Sequence, residues 1–249
     1  MIKKIAQTAL IAMAIACGTT ENKQQEQADA ASAENVISEQ EKTDGWQLLF
    51  DGKTGNGWKG FNKDSFPAGW VVDSGCLKAL GTAHGDTGGD IIYATEQFEN
   101  FELVWDWKID KGGNSGVFYH VVEDTQYAAP YHTGPEYQLI DEANFPEKLE
   151  NWQTTAADYA MYEPPATKKT KPYGEWNTSR IVFGKDKAEY WLNGEMTVSF
   201  VPWSEDWTKR RNSGKWDSFP DYGKAKTGYI ALQDHGSAVW FKNIKIRKL

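Results

Sequence analysis

From Trp46 onward the apolar positions recur mostly at every second residue. In Phe101-Glu-Leu-Val-Trp-Asp-Trp-Lys-Ile109, Phe101, Leu103, Trp105, Trp107 and Ile109 share one side of an extended chain, because successive side chains of a strand point to opposite faces. Further strand-like runs lie at 46–50, 90–94, 116–122, 136–141 and 176–183. The runs 69–73 and 76–80 flank Ser74-Gly75, and 187–192 and 195–201 flank Asn193-Gly194. Both dipeptides predict tight hairpins, Asn-Gly the more strongly. The chain closes with another strand pair. Ile230 and Leu232 alternate with Tyr229, Ala231, Gln233 and His235, and after Gly236 the final run begins. There Val239 and Phe241 are out of phase with Ile244 and Ile246, which predicts either a bulge near Lys242-Asn243 or burial on both faces. No long stretch has a helical period. Pro164-Pro165 with the lysines of 168–171, and the segment 202–222 with Trp203, Trp207 and Trp216, read as loops; loops of that length are often functional. Many short strands with glycine turns predict an all-β fold, a sandwich or a barrel.

Composition divides the chain. Lys3 and Lys4 precede the apolar run Ile5–Ile15 and then Ala16-Cys17. This is the layout of a secretory signal over 1–16, too short for a membrane span, and a small residue before Cys17 matches a bacterial lipoprotein processing site with Cys17 as the lipidated residue. Residues 18–43 hold no aromatic residue and are rich in Glu, Gln, Ala, Ser and Asn, so 17–43 reads as a disordered tether. All twelve tryptophans lie at or after Trp46, which sets a single head at 44–249. The expected location is the cell envelope, with the membrane reached through the lipid anchor. If Cys17 carries lipid, Cys76 has no disulfide partner and reads as a small buried hydrophobe. The formal charge is −8, which argues against nucleic acid as a partner. The tryptophans and tyrosines suit a neutral ligand such as a carbohydrate.

Four segments set polar side chains on strand faces: Asn114, Gly116, Phe118 and His120; Glu136 and Gln138, with Asp141 at the strand end; Trp176, Thr178 and Arg180; and Gln233 with His235. A strand that only packs has no use for the last pair. Gly116 leaves room for another group to approach the backbone.

The ordered motifs Gly-Asn-Ser-Gly-Val-Phe118, Glu136-Tyr-Gln-Leu-Ile-Asp141, Gly174-Glu-Trp-Asn177, Trp191-Leu-Asn-Gly194, Leu232-Gln-Asp-His-Gly236 and Phe241-Lys-Asn-Ile-Lys-Ile246 resemble the 3-keto-disaccharide hydrolase family over about 45–249. The resemblance implies a two-sheet antiparallel jelly-roll sandwich of the concanavalin type with a sugar-binding face. It also implies cleavage of 3-keto glycosides. A ketone at sugar C3 acidifies the C2 hydrogen, a base removes it, the C1 substituent leaves, and water adds. That chemistry needs one base and donors for an enolate oxygen, not the paired carboxylates of ordinary glycosidases. On this reading Glu136 or His235 is the base and His120 a further acid/base group, imidazole being the side chain that exchanges protons near neutrality. Asn114, Gln138, Arg180, Gln233 and Trp176 bind substrate.

Plainer readings stand beside these. Glu136 could pair with Arg180, Asp141 could cap a turn, Tyr159 and Tyr162 could line a sugar site or only pin a loop, and His84 and His132 could be solvated. The sequence commits to no cofactor. A divalent cation stays open: Glu136, Asp141 and backbone carbonyls would suit Ca²⁺ or Mg²⁺, and Glu with His a transition metal. The alternative function is a non-catalytic glycan-binding module, which would need aromatics and amides but no desolvated base.

Overall fold

The computed structural model describes residues 34–81 and 88–249. The expected signal, Cys17, the tether up to residue 33, and His84 lie outside the described residues. Thirteen strands appear among them: β1 (Gln47–Leu48), β2 (Trp58–Gly60), β3 (Trp70–Asp73), β4 (Cys76–Ala79), β5 (Ile91–Tyr93), β6 (Phe101–Ile109), β7 (Asn114–Val121), β8 (Glu136–Ile140), β9 (Asn177–Phe183), β10 (Ala188–Leu192), β11 (Glu195–Phe200), β12 (Tyr229–Leu232) and β13 (Val239–Lys248). Two short helices, α1 (Glu39–Thr43) and α2 (Glu205–Arg211), accompany them. The strands form two antiparallel sheets in a jelly-roll sandwich. The larger runs β11-β10-β9-β6-β13-β4-β3 with β1 also on β13, and the smaller runs β2-β5-β12-β7-β8.

The period-2 pattern sets the interior. Trp105 and Trp107 of β6 are 1 % exposed, and Ile181, Val117, Leu139 and Ile230 are fully buried with them in one core. Trp105 meets Tyr137 of the opposite sheet edge-on at 5.0 Å, and Tyr190 donates its hydroxyl to Tyr119 across the layers at 2.9 Å. Asn193 and Gly194 take φ 49° and 83°, and Ser74 and Gly75 take 51° and 77°, so both predicted hairpins turn through left-handed pairs. The pairing of β13 with β6 slips between Lys242 and Lys245, with Asn243 at φ 51°. This is the expected bulge, and it returns Ile244 and Ile246 to the core.

Two expectations change. Residues 34–43, assigned to the tether by composition, fold onto the head. Asn35 is buried. Its N–H donates to Asn243 Oδ1 at 2.6 Å, its Oδ1 accepts from Asn243 N at 2.9 Å, and its Nδ2 donates to Gly75 O at 2.8 Å. Hydrogen bonds rather than apolar burial hold this segment, so low aromatic content did not betray it. The 202–222 loop carries α2, capped by the Ser204 hydroxyl accepting from Trp207 N, and a 3₁₀ turn at Gly214–Ser218. Its tryptophans are anchors. The indoles of Trp203 and Trp207 both donate to Gly223 O at 3.2 Å, and that of Trp216 donates to Tyr159 O at 3.2 Å.

Candidate functional site

The outer face of the smaller sheet is of mixed character. Toward one side Ile92, Phe118 and Ala231 bury against Phe61 and Val121. Toward the other, Asn114, Glu136, Gln138, Gln233 and His235 line a hollow of about 280 Å³ together with Tyr131, Tyr159, Lys215 and Phe219. The floor follows from strand register, since Asn114 faces Ile140 and Gly116 faces Gln138 across β7 and β8. The free edge of β8 is covered by 155–159: Gln138 exchanges backbone hydrogen bonds with Ala156 and Ala157, and Tyr159 N donates to Glu136 O at 3.0 Å. An edge must be paired or covered, and this cover carries Tyr159 to the wall. Trp216, stacked on Tyr222 at 3.5 Å, sets its neighbour Lys215 over the hollow.

The lining is rich in unmet polar capacity. The side-chain oxygens of Asn114, Gln138 and Gln233 are buried and receive no hydrogen bond, although Gln138 donates its Nε2 to Gln153 O at 3.1 Å. Buried polar atoms are nearly always satisfied by protein or water, so these three acceptors give one hollow a cluster of positions that water or a ligand hydroxyl can fill. Glu136 is 4 % exposed and leans over Gly116, where an added Cβ would lie 2.4 Å from its Oε1. Burial pushes its carboxyl up to about 8, with Lys215 pulling it down and Asp90 pushing it up. Burial also raises Asp90 to about 7, against the hydrogen bond it accepts from Asp234 N. That bond fixes the backbone between Gln233 and His235. The Lys215 ammonium is lowered by burial and supported by Glu136.

Five expected site residues therefore converge: Asn114, Glu136, Gln138, Gln233 and His235. Three do not. His120 was expected beside Asn114 and Gly116, but between Phe118 and Val121 β7 holds one residue more than β12. His120 takes φ 52°, and the bulge turns it inward. There it is 2 % exposed, hydrogen-bonded through Nε2 to Glu99 O at 2.8 Å, edge-on to Phe183 at 4.7 Å and stacked on Trp203. Burial lowers its pKa to about 4. Arg180 and Trp176 lie on the outer face of the larger sheet, across the sandwich. Arg180 ion-pairs with Glu102 at 2.5 Å, not with Glu136, and covers the Trp191 ring. Trp176 is flanked by Lys242 at 4.1 Å and Lys108 at 5.1 Å.

Asp141 caps a turn, accepting from Gly112 N at 2.8 Å and Asn144 Nδ2 at 3.2 Å. Tyr162 stacks on Phe200, and His132 packs among Tyr127, Tyr131 and Phe219. Among the described residues no three His, Cys, Asp or Glu side chains gather as a metal site. The sequence reading missed Tyr131, Lys215 and Phe219; the length of the 202–222 loop was the one signal for the last two.

Comparison with known proteins supplies a lineage. Residues 45–247 match the family described as the 3-keto-alpha-glucoside-1,2-lyase-like domain. A Bacteroides thetaiotaomicron protein named 3-keto-disaccharide hydrolase is 37 % identical over 231 residues, 83 % of this chain and 79 % of the relative. A Parabacteroides distasonis crystal structure, provisionally named a glycosyl hydrolase, superposes with a TM-score of 0.80 at 48 % identity, covering 87 % of this chain and 100 % of that one. A second Parabacteroides distasonis structure with the same provisional name has a TM-score of 0.60 at 28 % identity, covering 78 % and 100 %. The chain belongs to the 3-keto-alpha-glucoside-1,2-lyase-like family.

Proposed function

We propose that this family member is a glycoside-cleaving hydrolase that acts on 3-keto glycosides or 3-keto-disaccharides, with Glu136 as the base. The observation that carries the reading is Glu136 itself: a buried carboxylate without a salt-bridge partner among the described residues, on the floor of a hollow lined by unsatisfied amide oxygens. A module that only held glycans would gain from the amides and the aromatic wall but would have no use for a desolvated base.

The steps follow from the chemistry of the ketone. Glu136 takes the proton from C2, and the C–H electron pair forms the C2–C3 double bond while the carbonyl pair moves to the C3 oxygen. When that pair returns, the C1–oxygen bond breaks and the leaving oxygen gains a proton. Water then adds at C1 across the C1–C2 double bond, and C2 regains a proton. Sugar hydroxyls are the donors that Asn114, Gln138 and Gln233 lack. His235, exposed in the lining of the hollow, is the group we assign to protonate the departing oxygen. A base whose pKa is raised by burial is a stronger proton acceptor once ionised, which is the usual tuning of a carboxylate toward work near neutrality.

The test is sugar release from a 3-keto disaccharide and from its unoxidised parent. Wild type should cleave the first and spare the second, and Glu136→Gln should lose about 10²–10⁴-fold on the first. Retention of wild-type turnover by Glu136→Gln removes the assignment.

A further inference from the structure

We infer that Lys215 is the electrophile of this site, its ammonium binding the ketone oxygen of the substrate and stabilising the enolate that forms there. The inference rests on the 3-keto reading above and adds a catalytic residue that the sequence motifs do not contain.

Lys215 stands in the 3₁₀ turn that Trp216 pins. Its Nζ lies 4.1 Å from the Tyr159 ring centre, 4.8 Å from that of Trp216 and 5.6 Å from that of Tyr131. Ring faces attract a cation, but they leave its N–H bonds without oxygen acceptors. Among the described residues, ion pairs engage Lys168, Lys242 and Lys245. Among the same residues Lys215 has no such partner within 4.0 Å and donates no hydrogen bond. An ammonium has three donors and no acceptor capacity. The hollow therefore presents two complementary sets: amide oxygens that need donors, and one caged cation that needs an acceptor. Hydroxyls satisfy the first set. A ketone oxygen has no proton to give and satisfies only the second. Among the described residues Lys215 is the one lysine or arginine in the lining.

The step balances without a covalent bond to the enzyme. As Glu136 removes the C2 proton, negative charge collects on the C3 oxygen, and an N–H of Lys215 donates to it. The charge is dispersed while C2 and C3 are doubly bonded and returns to expel the C1 substituent. A fixed donor aimed at developing charge in a desolvated site is worth more than one in water. Burial eases sharing of the lysine proton with the enolate, since it lowers the ammonium from its usual range.

The experiment uses the full chain with a 3-keto disaccharide in D₂O, following deuterium entry at C2 by NMR alongside sugar release. Lys215→Met keeps the stem packed on the rings and removes the charge. It should lower both exchange and kcat by about 10²–10³-fold, with KM changed only a few-fold, and Lys215→Arg should lose less. Lys215→Gln serves as a second neutral variant if the methionine form does not fold. Exchange at the wild-type rate in the neutral variant, or a rise in KM alone, overturns the inference. Borohydride added during turnover should leave the protein mass unchanged. A reduced-sugar adduct on Lys215 would mean an imine and would overturn the charge-only role. Wild type that fails to exchange or cleave the 3-keto substrate ends the 3-keto reading and this inference with it. A defect missing only from the Lys215 variants ends the inference alone.

Discussion

Removing the ionisable group at Glu136 should cost the proposed activity about 10²–10⁴-fold and, at alkaline pH, make the protein more stable. A glutamate carboxyl titrates near 4.5 outside the fold and at about 8 at Glu136, chiefly because burial disfavours the anion. The native state thus holds a proton that the unfolded chain has released, and stability falls as pH rises through the window from about 4.5 to about 8. At about 1.4 kcal/mol per pKa unit, the loss is on the order of 1 kcal/mol at pH 5, 3 at pH 7 and 5 at pH 9. Glu136→Gln removes this slope. The buried amide left without partners costs on the order of 1–3 kcal/mol, but that cost does not vary with pH. The informative quantity is therefore the change in the difference between the two proteins, about 4 kcal/mol from pH 5 to pH 9.

Urea unfolding of wild type and Glu136→Gln at pH 5, 7 and 9 measures it. The midpoints should diverge with pH at constant m, and melting temperatures should show the same divergence, roughly 8–16 °C for a domain of this size. Burial raises Asp90 and Asp158 as well, so wild type should lose more than the Glu136 share. Those groups remain in both proteins, and because Glu136 also raises Asp158 and supports the Lys215 ammonium, the difference reports the carboxyl at position 136 together with these couplings. Parallel stability curves would refute the claim that Glu136 is desolvated in the native state, and with it the argument for a tuned base.

Because the base must be ionised to accept a proton, kcat/KM on a 3-keto substrate should rise with pH and level off above about 8. Lys215→Met should move that limb upward, since it removes the positive neighbour that favours the anion. Gly116→Ala places a Cβ 2.4 Å from Glu136 Oε1; it should keep the sandwich, seen in an unchanged far-UV spectrum, and lose about 10²-fold in kcat/KM through displacement of the carboxylate. His120→Ala should cost about 2–4 kcal/mol as a buried truncation while leaving kcat/KM of the folded fraction intact, and Trp176→Ala should leave it intact too; a specific rate loss in either would return that residue to the site. Cys17→Ser should shift the protein from the membrane to the soluble fraction of the expressing bacterium, and unchanged partition would remove the lipid anchor.

The legible parts of this molecule are those in which one rule acts alone. Period-2 alternation fixed the faces of β6, β9 and β12, and the phase break at Lys242-Asn243 located a bulge, because there the apolar pattern itself records the slip. The same rule placed Glu136 with Gln138, and Gln233 with His235, on the face that carries the hollow. It failed in β7. The extra residue falls at Tyr119-His120, where the buried side chain after the bulge is an imidazole, so the apolar pattern carries no trace of the inversion; only the register with β12 reveals it. Alternation also assigns a face and not a sheet. Arg180 and Trp176 do face away from the core, as read, but on the far side of the sandwich. The roof was illegible for a different reason. Lys215 and Phe219 owe their positions to the indole hydrogen bonds of Trp203, Trp207 and Trp216, which tie one irregular segment to Gly223 and Tyr159. No local period encodes such ties. The three tryptophans within fourteen residues were visible in the sequence, and their density is what a loop needs if it must hold one lysine still above a reacting carbon. On this account the rigidity of the roof serves the proposed chemistry, and Trp216→Phe, which loses the bond to Tyr159 O but keeps a ring in the core, should lower kcat more than it lowers the urea midpoint.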